Sequence, residues 1–377
     1  MGTKRKFLFY YLNTGAGHIS AAKVLSRAMK QEDDSVQIKM LNGFHPHKLG
    51  HMIFERGYNF SLNFFHGLFP LIYDLGQFRF TQTLFLRVLE HEAVNYLKKQ
   101  IYAERPTDIV SFHFALTPYI RKVIKTLPWK VNFTCIVTDP FTAPHCWFYD
   151  RFANYMVYSE EAKKIAVQDC GVPEKNVTVV PFIMNEKFRS EISPEEIKNL
   201  KIKHGFNPNK KIVLLVGGGE GLPGATEILN ECILKRNNFS IAIICGRDIT
   251  KYHAFSILSK TYPRLDFHVY GFVDFLDELV KISDCAVIKA GPATMLEVLS
   301  SKKPVIICRY IHNQELGNLR FAVSHKVGWY IRKPKLIYKK INELLNDTQF
   351  DLKMKKNFEN IRIDTDASKI VKILLQK

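Results

Sequence analysis

With 377 residues, 46% of them hydrophobic, the chain has enough apolar material for two domains of ordinary size, which excludes a disordered or fibrous protein. Its formal charge of +18 calls for a polyanionic partner. The basic residues are spread over both halves without an RRM, zinc-finger or homeodomain signature, so the sequence points to an anionic membrane surface or phosphorylated substrates and not to nucleic acid.

The seven cysteines form no C-x-x-C pair and several lie in apolar runs, as free thiols of a reducing compartment do. The apolar run at the N-terminus stops at Leu12, too short for a secretory signal, so a cytoplasmic-facing protein is expected. Phe7–Leu12 reads as a buried parallel strand, Asn13-Thr14-Gly15-Ala16-Gly17-His18 as a glycine loop, and Ala21, Ala22, Val24, Leu25 and Met29 as one face of a helix. His18 then falls in the first helical turn, where the positive end of the dipole disfavours imidazolium and a neutral ring can accept a proton. A helix-start histidine bonding its own backbone is the plainer alternative.

Residues 44–80 are aromatic-rich and flanked by Arg56 and Arg79, with no charged residue from Gly57 to Tyr73. Asn59, Asn63, His66 and Pro70 interrupt the run, so it is too short and polar for a membrane span and fits a segment lying in the bilayer interface. A helix pair of the domain core is the alternative. His45, His47 and His51 are close in sequence, but no cysteine or carboxylate nearby completes a ligand set, and no metal is expected.

A helical pattern follows over Thr81–Ile101, then strands at Asp108–Phe112 and Asn132–Val137. Asp139-Pro140 turns the chain, His145 and Trp147 lie in the loop, and Ser159 ends another strand. Asp139 and His145 either order an acceptor pocket or serve as a turn cap and a loop histidine packed on Trp147. Val177–Val180 completes an N-terminal domain, 1–182, and the charged, proline-broken stretch 183–209 reads as a connection.

The second domain, 210–360, opens on Ile212–Val216 and Gly217-Gly218-Gly219. Gly219, Gly221 and Gly224 have G-x-G-x-x-G spacing in mid-chain, but the next strand, Ile241–Cys245, ends in Gly246-Arg247-Asp248 rather than directly in an acid. This favours phosphate or sugar contact over a dinucleotide. His268–Val273 ends a further strand in a glycine turn.

The densest stretch is 283–318. Cys285–Ile288 reads as a strand and Pro304–Cys308 as another, joined by the corner Gly291-Pro292-Ala293-Thr294 and a helix. Free N–H groups at that corner suit a diphosphate, and Glu297, one turn in, suits the hydroxyls of a ribose. His312, Asn313, Gln314, Glu315 and Asn318 then crowd hydrogen-bonding side chains after a strand end, the edge where open α/β sheets bind ligands. Together these describe a nucleotide-sugar site; an ordinary βαβ unit with a Gly-Pro turn is the alternative. Asp364-Thr365-Asp366 reads as the N-cap of a last helix, Ala367–Gln376, in the segment 361–377, and not as a metal motif.

At Ser283-Asp284, Lys289, Gly291, Glu297, Pro304, Gln314, Glu315 and Asn318 the sequence resembles the GT-B glycosyltransferases that use UDP-sugars, and among them the monogalactosyl- and glucosyl-diacylglycerol synthases. The glycine loop ending in His18, and Thr138-Asp139 with His145, Trp147 and Ser159, are similar to the same family. One departure is His312-Asn313, where the family has Pro-Gly.

The resemblance implies an α/β GT-B fold of two Rossmann-like domains facing a cleft. The C-terminal domain would hold a UDP-hexose and the N-terminal domain would offer a lipid acceptor, most directly diacylglycerol. His18 would be the catalytic base, with Asp139 or His145 as alternates, and transfer would invert the anomeric carbon. Gly17, Gly218, Gly219, Phe272, Val273, Lys289, Gly291, Pro292, Ala293, Thr294, Glu297, Gln314, Glu315 and Asn318 would contact the donor. Lys289 and helix dipoles would carry the leaving-group charge with no metal or other cofactor.

Phe60, Phe64, Phe65 and Phe69 would meet acceptor and membrane, the protein lying peripherally on the cytoplasmic face. The last helix would pack back on the N-terminal domain. Two alternatives share these features: a GlcNAc transferase to a polyprenyl-diphosphate lipid, and a non-catalytic basic membrane-surface binding protein on the same scaffold. His18, Glu297 and Gln314-Glu315 argue against the second, since a binding module needs none of them.

Overall fold

The computed structural model describes residues 5–13, 16–46, 48–57 and 77–376. The chain divides into two units, Met1–Met184 with His312–Gln314 and Asp364–Lys377, and Asn185–Ile311 with Glu315–Ile363.

The first unit is built on β1 (Lys6–Tyr11), β2 (Gln37–Asn42), β3 (Asp108–Ser111), β4 (Asn132–Ile136), β5 (Asn154–Val157) and β6 (Val177–Val179). They form one parallel sheet in the order β2-β1-β3-β4-β5-β6. β1 is apolar at successive positions because both its faces are covered. Phe7 and Phe9 pack with Ala21, Ala22, Leu25 and Met29 of α1 (Ala16–Glu32) and with Ile370, Val371 and Leu374 of the C-terminal helix (Ala367–Gln376). Leu8 and Tyr10 pack on the other face with Leu89, Ala93 and Leu97 of α2 (Arg79–Glu104) and Tyr119 and Ile120 of α3 (Thr117–Ile124).

The C-terminal helix is therefore part of the first unit. Phe182 N–H donates to the Asp364 carbonyl at 2.8 Å, and the Asp366 carboxylate caps the helix by accepting from Ser368 N–H at 3.1 Å. Arg5 pairs with the buried Asp108 and donates to the Leu375 carbonyl at 2.7 Å, tying the far end of the helix to the start of β1 and β3.

The second unit holds β7 (Ile212–Val216), β8 (Ser240–Ile244), β9 (Phe267–Tyr270), β10 (Cys285–Lys289), β11 (Val305–Arg309) and β12 (Gly328–Tyr330). Its order, β12-β11-β10-β7-β8-β9, is again all parallel. The stretch read as a connection differs from expectation: from Asn185 it groups with the second unit. α4 (Pro194–Lys203) starts with a capping box of Ser193 and Glu196, and Lys203 and His204 both reach Glu278 at 2.7 Å.

Strand order reverses between β1 and β3 in the first sheet and between β7 and β10 in the second. Such reversals splay the adjoining loops and open a crevice at the carboxyl edge. Among the described residues no helix is long and apolar enough to cross a membrane. Phe60, Phe64, Phe65 and Phe69 lie outside the described residues.

Candidate active site

At the reversal of the first sheet, the loop after β1 delivers His18 in the opening turn of α1, and the chain after β3 delivers Phe112 and His113. His18 Nδ1 lies 2.8 Å from the Phe112 carbonyl and 2.9 Å from the Thr138 hydroxyl oxygen. A carbonyl only accepts, so Nδ1 is assigned the proton and Nε2 keeps its lone pair. The residue retains some exposed surface, but its ring is enclosed, and removal from water lowers its pKa to about 4 against the pull of the Phe112 carbonyl. The ring is thus neutral at neutral pH, a proton acceptor and not a cation.

Aromatic rings form the enclosure. His113 lies 4.8 Å and Trp147 6.2 Å from the His18 ring, and Phe114 stacks on His113 at 4.5 Å. His113 Nδ1 accepts from Ala115 N–H at 3.2 Å, and burial followed by the nearby His18 holds its pKa well below the usual histidine value. Trp147 Nε1–H donates to the buried Asp139 carboxylate at 2.7 Å. Asp139 thus acts through Trp147, fixing the indole beside His18. His145 opens a short turn, its N–H donating to Gln77 at 3.0 Å, and its ring makes no contact with His18 among the described residues. Gly17 begins the same helical turn as His18.

At the reversal of the second sheet, β10 slips its register against β11 at Ile288/Lys289 and ends in Lys289. The Lys289 side chain fills the space that glycine leaves at two loops. Its Cε is 3.8 Å from where a β-carbon would stand at Gly218 and 3.4 Å from that position at Gly291. Gly218 adopts φ +81°, which glycine alone takes at little cost, and a β-carbon on Gly217 would fall 2.1 Å from the Gly221 carbonyl. Gly219 has open space around it.

α7 needs α6 first. α5 (Ala225–Lys235) follows β7, α6 (Leu276–Ile282) precedes β10, and α7 (Pro292–Ser300) follows it with Gly291 as an N-cap that offers no side chain. Pro292 fixes the first turn, so the N–H groups of Ala293 and Thr294 are left for a ligand. The helix starts two residues before Thr294, where the sequence pattern had opened it. The Glu297 side chain makes no hydrogen bond or ion pair among the described residues, while its carbonyl accepts from Ser301. Burial, then repulsion from Asp277 in the first turn of α6, raises its pKa to about 7. A half-buried carboxylate with no donor on it among the described residues fits a pair of ribose hydroxyls.

Glu315 and Asn318 differ from a purely sugar-facing pair. Glu315 is 4% exposed and one carboxylate oxygen accepts from Ile311 N–H at 2.8 Å. Burial raises its pKa, opposed by Lys289 and that N–H. Asn318, in α8 (Leu316–Ser324), donates to the Ala290 carbonyl at 2.8 Å, and its buried Oδ1 has no partner. Asn318 thus braces the Ala290-Gly291 corner and Glu315 the turn at Ile311, and each keeps one acceptor oxygen. Gln314 groups with the first unit. Phe272, 62% exposed after β9, lies under the Arg247 guanidinium at 5.6 Å, and Val273 beside it is half-buried.

Among the described residues no three His, Cys, Asp or Glu side chains converge as a metal set. His113, Phe114, Asp277 and Arg247 were not singled out from sequence. A histidine directly after a predicted strand was the one available signal.

Two Rossmann-like units of parallel sheet define the GT-B glycosyltransferase fold. Solved GT-B structures agree: Acinetobacter baumannii MurG superposes with TM-score 0.62 at 13% identity over 99% of this chain and 100% of its own. Anabaena Alr3699/HepE, in complex with UDP and glucose, gives 0.60 at 12% over 99% and 100%.

Residues 18–181 match the monogalactosyldiacylglycerol (MGDG) synthase family and residues 212–371 the glycosyltransferase family 28 C-terminal domain. Monogalactosyldiacylglycerol synthase 1 of Arabidopsis thaliana is 27% identical over 89% of this chain, which spans 64% of that protein. The processive diacylglycerol beta-glucosyltransferase of Bacillus thuringiensis is 24% identical over 99% of this chain and 94% of its own length. The chain thus carries an MGDG synthase family domain and a glycosyltransferase family 28 C-terminal domain on a GT-B fold, and its relatives are MGDG synthases and processive diacylglycerol glucosyltransferases.

Proposed function

We propose that the protein transfers a hexose from a UDP-sugar to diacylglycerol, with inversion, at a membrane surface with which it associates peripherally. The carrying observation is the 2.8 Å contact of His18 Nδ1 with the Phe112 carbonyl, which assigns the proton to Nδ1 and leaves Nε2 as the acceptor for the hydroxyl proton of an alcohol. The aromatic enclosure of His113, Phe114 and Trp147 suits an acceptor with an apolar body. The names of the relatives from Arabidopsis and Bacillus support diacylglycerol as that acceptor.

In this reading the second unit holds the donor, with ribose on Glu297, diphosphate on the start of α7 and Lys289, and hexose at the free oxygens of Glu315 and Asn318. The acceptor oxygen attacks the anomeric carbon as the bond to the UDP oxygen breaks. The alcohol proton passes to His18 Nε2, and UDP leaves with the bonding pair. Positioning and fixed positive charge at the leaving oxygen supply most of the rate.

The test is radiolabelled UDP-glucose, UDP-galactose and UDP-GlcNAc with diacylglycerol vesicles and, in parallel, a polyprenyl-diphosphate lipid. Glycosyl-diacylglycerol is the expected product, formed from a hexose donor. Label appearing only in the polyprenyl lipid, or no glycolipid from any pair, would overturn the proposal.

A further inference from the structure

The second unit has a face on which positive charge is left unneutralised. Elsewhere in that unit lysines sit beside carboxylates: Lys203 with Glu278 at 2.7 Å, Lys210 with Asp266 at 3.1 Å and Lys211 with Asp284 at 2.9 Å. At the outer edge of the sheet, α9 (Pro334–Asn346) follows the edge strand β12 and packs Ile337 and Ile341 against Ile228, Leu229 and Cys232 of α5. Its outward side joins the end of β12 and the end of α5 in a surface carrying Lys235, Arg332, Lys333, Lys335 and Lys339. None of these five makes an ion pair among the described residues. The carboxylate lining that surface, Glu343, is engaged by Lys340.

Two further features point to what neutralises the charge. α9 begins without a side-chain cap and with no acidic residue in its first turn. Arg332, Lys333 and Lys335 therefore surround the positive end of a helix dipole, an arrangement unfavourable in the free protein and relieved by an external anion. Among the cations stand exposed apolar side chains, Leu336 at 48% and Tyr330 at 39%, lining shallow concavities of about 460 and 580 Å³. Phosphates alone give aliphatic side chains nothing to bury against. A lipid headgroup layer does, because leucine and tyrosine reach the acyl boundary while lysines stay among the headgroup phosphates.

We propose that the surface formed by the end of β12, α9 and the end of α5 is a docking face for an anionic lipid bilayer, belonging to the second unit itself. The inference extends the reading of the protein as an enzyme of membrane lipid. It adds a contact that does not use the aromatic segment 54–80.

The experiment measures partition of the full-length protein onto phosphatidylcholine vesicles with and without phosphatidylglycerol. Each cation near an anionic surface is worth about a fivefold change in partition, so Lys335→Glu/Lys339→Glu should weaken binding to phosphatidylglycerol vesicles by tenfold or more, roughly. Its salt dependence should flatten, while phosphatidylcholine binding, UDP affinity and unfolding temperature stay as in the wild type. Lys335→Arg/Lys339→Arg should bind as the wild type does. Should the reversal lower the unfolding temperature, Lys335→Gln/Lys339→Gln gives the same readout with a smaller loss.

Partition within about twofold of wild type for the charge variant, on a scale of about fivefold per cation, would overturn the proposal. So would loss of binding to a single-stranded oligonucleotide with vesicle binding intact, which would assign the face to a nucleic acid. Partition is read without donor or turnover. A protein that glycosylates no diacylglycerol but shows the expected partition would therefore remove the proposed function and leave this surface standing.

Discussion

Two side chains carry opposite shifts that separate their roles by pH. Glu297 is raised from 4.5 to about 7 by burial and by Asp277. Its folded-state pKa exceeds the unfolded one, so folded protein binds the extra proton, and stability falls as pH rises from 4.5 through about 7. Ribose hydroxyls donate best to the ionised carboxylate, so UDP binding should release a proton and tighten as pH rises through 7, levelling above it. Calorimetry should show this slope in the wild type and its absence in Glu297→Gln; a wild-type affinity flat across that window would take Glu297 out of the ribose site.

His18 is lowered from 6.5 to about 4. Stability associated with its neutral ring is present above 6.5 and is lost as pH falls towards 4. Its acid limb in kcat should therefore lie well below that of free imidazole. His18→Ala should cut kcat by about 10²–10⁴-fold with UDP affinity intact, as loss of a general base does. Wild-type kcat at saturating acceptor in that variant would hand the role to another group. Both residues were legible in sequence because each follows a strand and a glycine turn into a helix. Their neighbours were not: His113 meets His18 only because β3 lies beside β1, and Asp277 bears electrostatically on Glu297 from 20 residues away in the chain, and sheet order is not written in local pattern.

Among elements, the buried strands were readable because parallel sheets covered on both faces force apolar runs such as Ile212–Val216 and Cys285–Ile288. The stretch from 185 to 209 was not, since its charged helix gains a place through Lys203 and His204 meeting Glu278, some 75 residues away. Glu315 and Asn318 were recognised by type, yet half their hydrogen-bonding capacity braces the loop. The C-terminal helix makes a testable case. Ile370, Val371 and Leu374 are nearly or fully buried against Phe7, Phe9 and α1. Leu374→Ala should destabilise the first unit by about 2–5 kcal/mol through lost contacts and a residual cavity. Thermal unfolding should show that loss while UDP affinity is unchanged. An unaltered unfolding profile would mean that the helix is held by its Arg5 and Phe182 hydrogen bonds alone.

For the whole molecule the governing quantity is charge. On the proposed function a protein of +18 should attract both an anionic donor and an anionic bilayer, and salt should weaken the second far more than the first, since exposed lysines are screened while a partly enclosed contact is not. The donor's leaving group concentrates the remaining question, because UDP departs with negative charge that a divalent cation or fixed protein charge must meet. Lys289 stands between two glycine-lined loops beside the uncapped start of α7, and it opposes the burial that raises the Glu315 pKa. A single amine so placed, with the helix dipole behind it, can take the charge that develops as the bond to the diphosphate breaks. Transfer should then persist in excess EDTA. Lys289→Met should lower kcat by about 10²–10³-fold, the cost of removing one preorganised charge-stabilising group, and should weaken UDP binding as well. Turnover abolished by EDTA and restored by magnesium would place the leaving-group charge on a metal, and Lys289 would be left with the diphosphate of the ground state.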